Sequence, residues 1–476
     1  MINVTQMVLV FLYTSVFSSS LNGKAGSDMN ERPRVVILGG GIGGIKAAQK
    51  LANQPVDVLI IDHNNYQVFQ PLLYQVATSM LSTDEVVYPI RGFFKKANNV
   101  DFLLAEVRGI QPNEKIVKTS HGDVPYDYLI IALGSTPNFF GNEEVERNAF
   151  PLKTLQDAIR IRSHLLSVFE EASAETDPEK RKALLTFVFV GAGPIGVEGA
   201  GGVSELVYDV LQKEFHHIDF DEVSIHLIGA DACVLGMMSE ELRAETLKVL
   251  QKKRIDVQCS MLVTGYDGEN LFYRPMNAPK DAPCATLKTK TVVWSAGVRP
   301  VDCLSSFACE KDRGKRLLID DTIRVPGTQD IFAIGDCSSY TPPGEQRPLP
   351  TLAPVALAEG ELAAKNILHD VRGEEMEHLH YKSKGVMAII GNSEAVMEAG
   401  PLRGRGFLAW AAWLWIHLLT KAGFHANISV TFKWIFNYLS GTRLGRLITR
   451  PELQGLPESI KNAPEAKDAG AEKQAS

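Results

Sequence analysis

Val35-Val-Ile-Leu-Gly-Gly-Gly-Ile-Gly-Gly44 is the stretch that decides the fold. Its β-branched start reads as a short buried strand. The strand runs into a G-x-G-x-x-G loop and then into a helical pattern with apolar Ile45, Ala48 and Leu51. Gly39 supplies the tight turn, Gly41 leaves room for a pyrophosphate at the backbone, and Gly44 lets the helix pack close to the strand. Gly43 belongs to the same loop. The helix N-terminus offers free N–H groups and partial positive charge to phosphates. The next strand, Val56-Asp-Val-Leu-Ile-Ile-Asp62, ends in an acid, about 20 residues on, where a ribose hydroxyl is bound. These features predict a dinucleotide-binding βαβ unit.

Phe187-Val-Phe-Val-Gly-Ala-Gly-Pro-Ile-Gly196 repeats the device, with Gly191, Gly193 and Gly196 in the three places. Its following strand, Val223-Ser-Ile-His-Leu-Ile-Gly229, ends in glycine where the first unit has Asp62. Asp231 lies two residues further on, within reach of the ribose hydroxyls. No arginine stands nearby to meet a 2′-phosphate, which favours NADH over NADPH.

The 476 residues carry net charge −7, with 45% hydrophobic and 22% charged residues. That is ordinary for a multidomain globular enzyme, and it argues against a nucleic-acid-binding surface. Cys233, Cys259, Cys284, Cys303, Cys309 and Cys337 form no C-x-x-C pair. A redox-disulfide mechanism and a zinc site are therefore not expected, and no metal is. Met7 to Phe17 is apolar, but no Lys or Arg precedes it and it is too short to span a bilayer. Residues 1–32 read as a dispensable leader or as sequence upstream of a start at Met29. The tail, 451–476, is predicted to be disordered.

Several segments resemble the type II NADH dehydrogenases, the non-proton-pumping NADH:quinone oxidoreductases. They are Asp62-His-Asn-Asn-Tyr-Gln-Val-Phe-Gln-Pro-Leu-Leu-Tyr-Gln-Val-Ala-Thr78, Tyr126-Asp-Tyr-Leu-Ile-Ile-Ala-Leu-Gly134, Val292-Val-Trp-Ser-Ala-Gly-Val-Arg299 and Thr328-Gln-Asp-Ile-Phe-Ala-Ile-Gly-Asp-Cys337. The resemblance spans roughly Arg34 to Arg446. It implies a glutathione-reductase-like α/β architecture of two Rossmann-like domains, with FAD on the first and NADH on the second. The implied division is 33–150 and 297–395 for FAD, 151–296 for NADH, and 396–450 for a membrane-surface region.

Carried over by residue, the resemblance puts Gly335 and Asp336 on the FAD ribityl chain and pyrophosphate. Phe69, Gln70, Pro71 and Leu72 line the flavin. Gly134 and Gly297 mark the two crossings between domains. Glu198 sits near the nicotinamide, with a carboxylate serving only the helix dipole as the competing reading. Lys384, in Tyr381-Lys-Ser-Lys-Gly-Val-Met387, lies near flavin and quinone, with a solvated lysine as its competitor. One signature departs. The family's A-Q-x-A-x-Q quinone segment reads Ala353-Pro-Val-Ala-Leu-Ala-Glu-Gly360 here. Ala353 and Ala356 remain, while Pro354 and Ala358 replace both glutamines.

Residues 406–441 hold Gly406-Phe-Leu-Ala-Trp-Ala-Ala-Trp-Leu-Trp-Ile-His-Leu-Leu419 and a second apolar run from Ile428 to Leu439. Both are shorter than the roughly 20 residues a spanning helix needs. Arg403, Arg405, Lys421, Lys433, Arg443 and Arg446 flank them. This predicts amphipathic helices lying on an anionic lipid surface; a helix pair that closes a homodimer or covers the core is the alternative. The expected activity is two-electron reduction of a membrane quinone by NADH through FAD, without proton pumping, at the cytoplasmic face of the inner membrane. The competitors are an NAD(P)H oxidoreductase with another acceptor, such as a specialised naphthoquinone or small redox protein, and a nucleotide-binding redox sensor with little turnover.

Overall fold

The computed structural model describes residues 32–420, 429–434, 443 and 445–449. The leader, the tail and much of the second apolar run lie outside the described residues.

Two parallel five-stranded sheets carry the architecture. The first is built on β1 (Arg34–Leu38), which is followed by helix α1 (Ile42–Leu51) and strand β2 (Asp57–Asp62). Helix α2 (Leu73–Ala77) comes next, and then β3 (Val100–Leu104) and β4 (Tyr128–Ile131). β1 is flanked by β2, with Val35 opposite Val58, and by β4, with Val35 opposite Tyr128. Val35 to Leu38 are wholly buried, as expected of a strand covered on both faces.

After helix α3 (Leu155–Ala174), the second sheet repeats this plan with β5 (Thr186–Val190), α4 (Pro194–Glu205), β6 (Ser224–Ile228), β7 (Ile255–Gln258) and β8 (Thr291–Trp294). β5 lies between β6 and β8. β9 (Ile331–Ala333) then returns to the first sheet beside β4. In both sheets the chain order reverses at the glycine-bearing strand. The crevice beyond its carboxyl end is where such sheets bind ligands.

Helix α5 (Ala353–Arg372) packs on α1. A Cβ at Gly360 would lie 2.4 Å from the Gly43 carbonyl oxygen, so two small residues let the backbones touch. An antiparallel sheet of β10 (Val386–Gly391), β11 (Glu394–Ala399) and β12 (Leu402–Arg405) follows, and then helix α6 (Gly406–Thr420). This sheet leans on α4, where a Cβ at Gly201 would come within 2.0 Å of the Ile390 carbonyl oxygen. The expected boundary after residue 395 falls inside this sheet. It cuts β11, whose hydrogen bonds to β10 and β12 make one unit from Val386 onward.

Candidate active site

The first loop has the geometry of a phosphate cradle. Gly39 has φ +104°, and a Cβ there would lie 2.2 Å from the Ala132 carbonyl oxygen. A Cβ at Gly44 would fall 2.0 Å from the Gly39 carbonyl oxygen, whereas nothing lies within 4 Å of one at Gly41. The two outer glycines are forced by backbone contact, and the middle one faces open space. At the end of β2, Asp62 Oδ2 accepts from the Gly40 N–H (2.6 Å) and Oδ1 from the Asn64 N–H (2.7 Å). The acid is thus held against the loop. Gly43 is buried against Ala356 and Ile334. Its lack of a side chain lets α5 pack closely at the start of α1.

The second loop superimposes on this logic. A Cβ at Gly196 would meet the Gly191 carbonyl oxygen at 1.9 Å, and Gly193 is open. Gly229 is pressed against Ala192, whose Cβ would be 2.6 Å from an added Cβ. An acid has no room there without movement of the loop. Asp231 is exposed just beyond.

The second motif of the first unit is held by four side chains. The Gly335 N–H donates to Glu359 Oε2 (2.6 Å), and the Ser338 hydroxyl donates to the same oxygen (3.3 Å). Asp336 Oδ2 accepts from the Ser135 hydroxyl (2.6 Å) and the Lys153 ammonium (3.0 Å). Burial works to raise the Asp336 carboxyl, but Lys153 and the Ser135 hydrogen bond outweigh it and hold it below the usual range. Burial also pushes Glu359 up to about 7. Lys153 further donates to Gln70 Oε1 (3.4 Å). Ser135 and Lys153 went unnoticed in the sequence. The only available signal was position: one follows the crossing glycine Gly134, and the other precedes the Thr154–Asp157 capping box.

Of the expected flavin-lining run, Phe69 and Pro71 are half-buried and Gln70 is exposed. Leu72 is wholly buried in the core beside Leu73. Its side chain is therefore core and does not line an open cleft. Gly134 and Gly297 both have positive φ, beside the paired crossing strands Ser135–Pro137 and Val298–Pro300.

Glu198 stands in α4 and is 8% exposed. Its Oε1 accepts from the Ile389 N–H of β10 (3.2 Å), and burial lifts its carboxyl to about 8. It borders a cavity of about 70 Å³, shared with Tyr74, Gln75, Glu205, Trp434 and Arg443. The structure does not bring Lys384 into this group. It is exposed in the loop before β10, and among the described residues it forms no ion pair. At the start of α5, Ala353 and Pro354 are half-buried. Ala356 is buried between Gly43 and Gly335 and borders a small cavity shared with Gly335, Ser338 and Glu359.

The C-terminal block is stitched to the segment around α2 and to α4. Trp434 Nε1 donates to Gln75 Oε1 (2.8 Å), and Lys433 pairs with buried Glu85 (2.9 Å). Buried Arg443 donates to the carbonyls of Thr78 and Gly202 and pairs with Glu205 (3.0 Å). His417 of α6 stacks on Trp413 (3.7 Å) and meets Phe69 edge-on (6.1 Å). The outer side of the block exposes Phe407, Leu408, Trp415, Ile416 and Phe432. Among the described residues no helix is long and apolar enough to cross a membrane, and no group of His, Cys, Asp or Glu is arranged to hold a metal.

Residues 33–360 match the family model for pyridine nucleotide-disulphide oxidoreductases. The chain is 35% identical over 427 residues to the type II NADH:quinone oxidoreductase Ndh of Mycobacterium tuberculosis, covering 87% of this chain and 90% of that one. It is 29% identical over 370 residues to the type II NADH:quinone oxidoreductase of Staphylococcus aureus, covering 77% and 89%. In fold it is similar to NDH2 from Plasmodium falciparum in complex with NADH, with TM-score 0.80 at 20% identity over 88% of this chain and 100% of that one. It is also similar to the sulfide:quinone oxidoreductase of Aquifex aeolicus, with TM-score 0.64 at 19% identity over 89% and 99%.

Proposed function

The chain belongs to the pyridine nucleotide-disulphide oxidoreductases and, within them, to the type II NADH:quinone oxidoreductases, and from that membership we propose that it oxidises NADH through bound FAD and reduces a quinone at a membrane surface. The observation that carries the reading is the pairing of two open glycine cradles with a lipid-type apolar face bonded to the flavin side.

The residues fit both nucleotides. Gly39, Gly41 and Gly44 with Asp62 hold the FAD adenosine and pyrophosphate, and Gly335 and Asp336 hold its ribityl end. Gly191, Gly193 and Gly196 receive NADH. Bound FAD supplies a two-electron carrier between hydride donor and quinone. The overall balance is NADH + H⁺ + quinone giving NAD⁺ + hydroquinone, so one proton is drawn from solvent. The protein's share is positioning and exclusion of water. Ser135 and Lys153 fix Asp336, Glu359 fixes the Gly335 turn, and Glu198 keeps a neutral, proton-bearing carboxyl in the α4 wall at pH 7.

Phe407, Leu408, Trp415, Ile416 and Phe432 form the patch that rests on lipid, with Arg403 and Arg405 beside it for anionic headgroups. The quinone then arrives from the bilayer, and NADH from the cytoplasmic side. The absence of glutamine at Pro354 and Ala358 leaves backbone groups as the polar contacts of the quinone. Anaerobic stopped-flow tests the reading. NADH should bleach the flavin, and a menaquinone or ubiquinone analogue should restore its absorbance. Restoration by neither quinone sinks the acceptor assignment.

A further inference from the structure

Lys153 is a half-buried cation that the motifs do not account for. Its side chain is 14% exposed. Its ammonium reaches both Asp336, 183 residues away in sequence, and Gln70, 83 residues away. These are the ribityl contact and a flavin-lining residue of the proposed FAD site. Its backbone is equally fixed, because the Lys153 N–H donates to Asp157 Oδ2 (3.1 Å) and Thr154 caps α3. A lysine normally surrenders about 2 kcal/mol of rotamer entropy when immobilised. Fixing it here is not needed to close the fold, since the pairing of Phe150 and Pro151 with β8 and the capping box already hold the segment.

We propose that Lys153 is a positioning residue for the flavin that also sets its reduction potential: its ammonium ties Asp336 to Gln70 and offsets the negative charge of the Asp336 carboxylate at the proposed FAD site. The inference rests on the reading of this unit as the FAD site. Hydride transfer moves two electrons and one proton from NADH to the flavin and releases NAD⁺, so the flavin ends one unit more negative. A cation within the site stabilises that product relative to the oxidised form. Ser135, which bonds the same Asp336 oxygen, orients the carboxylate but brings no charge. Lys153 alone does both.

The test compares K153M, K153Q and K153R in the purified full chain, reading bound FAD per chain, thermal midpoint and the flavin midpoint potential. K153Q keeps a donor for Asp336 and Gln70 without the charge. The expected result is that K153R stays close to the parent. K153Q retains FAD but shifts the reduction equilibrium about tenfold toward oxidised flavin, which is ~30 mV for a two-electron couple. K153M shows that shift and also binds FAD about tenfold more weakly. Potentials for K153Q and K153M equal to the parent's overturn the electrostatic role, whatever happens to stability. If K153M does not fold, K153Q against K153R decides the matter alone. Parent protein that retains no flavin refutes the FAD site itself rather than the role of Lys153.

Discussion

The two glycine-rich units share a strand order, a forced outer pair of glycines and an open middle one, yet they part at the next strand. In the first, Asp62 is bonded back onto its own loop. A second motif 274 residues downstream, Gly335-Asp336, closes the site with Glu359, Ser135 and Lys153. In the second, Gly229 packs against Ala192, and the nearest acid is exposed. A site that retains its cofactor through many turnovers benefits from every such bond. A site that must release its dinucleotide each turnover gains little from tighter binding. On the proposed assignment of FAD to the first unit and NADH to the second, the contrast teaches how one fold device can make a resident socket in one half and an exchangeable seat in the other.

The largest effect that could break this contrast is steric. Gly44→Ala puts a Cβ 2.0 Å from the Gly39 carbonyl oxygen, and Gly196→Ala puts one 1.9 Å from that of Gly191. The insult is the same, but the outcomes should differ. G44A purifies without flavin and melts well below the parent. G196A keeps its flavin and its spectrum, while the KM for NADH rises on the order of 100-fold, about 2.7 kcal/mol of lost binding. Flavin loss from G196A of the same extent as from G44A would erase the distinction.

Arg443 is the next point of attack, because it joins the two halves through Thr78 on one side and Gly202 and Glu205 on the other. Burial lowers its guanidinium, and Glu205 is the main influence raising it again. Arg443→Met leaves Glu205 with Lys253 and the Asn392 N–H but without its second cation. A loss of about 3 kcal/mol is expected from urea unfolding, with both nucleotide sites loosened together. A change in NADH binding alone would assign Arg443 to one half only.

The contrast also shows what could be read from sequence. The cradles were legible because each is local: strand, turn and helix within about ten residues dictate one another. The missing acid at Gly229 was legible for the same reason. Lys153, Ser135 and Arg443 were not, since each is a common polar residue whose partner is set by tertiary packing across 183, 201 and 238 residues. The packing of Gly43, Leu72 and Ala356 was hidden for a related reason: it is set by the approach of α5 to α1 and by the core beneath α2. Lys384 was placed by resemblance, and the structure leaves it exposed.

Glu198 gives a pH-dependent test confined to the second unit. Burial raises its folded carboxyl to about 8 from an ordinary value near 4.5. Below pH 4.5 the group is protonated folded and unfolded, so it adds no slope. Between 4.5 and 8 the unfolded chain has lost the proton and the folded chain retains it. Stability therefore falls as pH rises, by up to ~1.4 kcal/mol per unit from this group, and levels off above 8. Glu198→Gln removes that slope. Urea midpoints from pH 5 to 9 should fall less steeply for the variant than for the parent, with the difference flat beyond pH 8. Parallel curves would mean that Glu198 is already ionised in the fold.

The smallest expected effect concerns the missing acid itself. Gly229→Asp alone forces a Cβ to within 2.6 Å of the Ala192 Cβ, an overpacking that costs about 1–3 kcal/mol. Adding Ala192→Gly removes the colliding methyl, so the double variant recovers most of that stability. If the first unit shows what an acid at this position does, the double variant should then bind NADH about threefold more tightly and discriminate further against NADPH, whose 2′-phosphate meets the new carboxylate. The tighter seat has a kinetic consequence. NAD⁺ leaves more slowly, and turnover falls even as KM improves, which isothermal titration and product-inhibition kinetics can read separately. Unchanged NADH affinity in a stable double variant would show that Gly229 is dictated by Ala192 packing alone and that exchangeability is set elsewhere in the second unit.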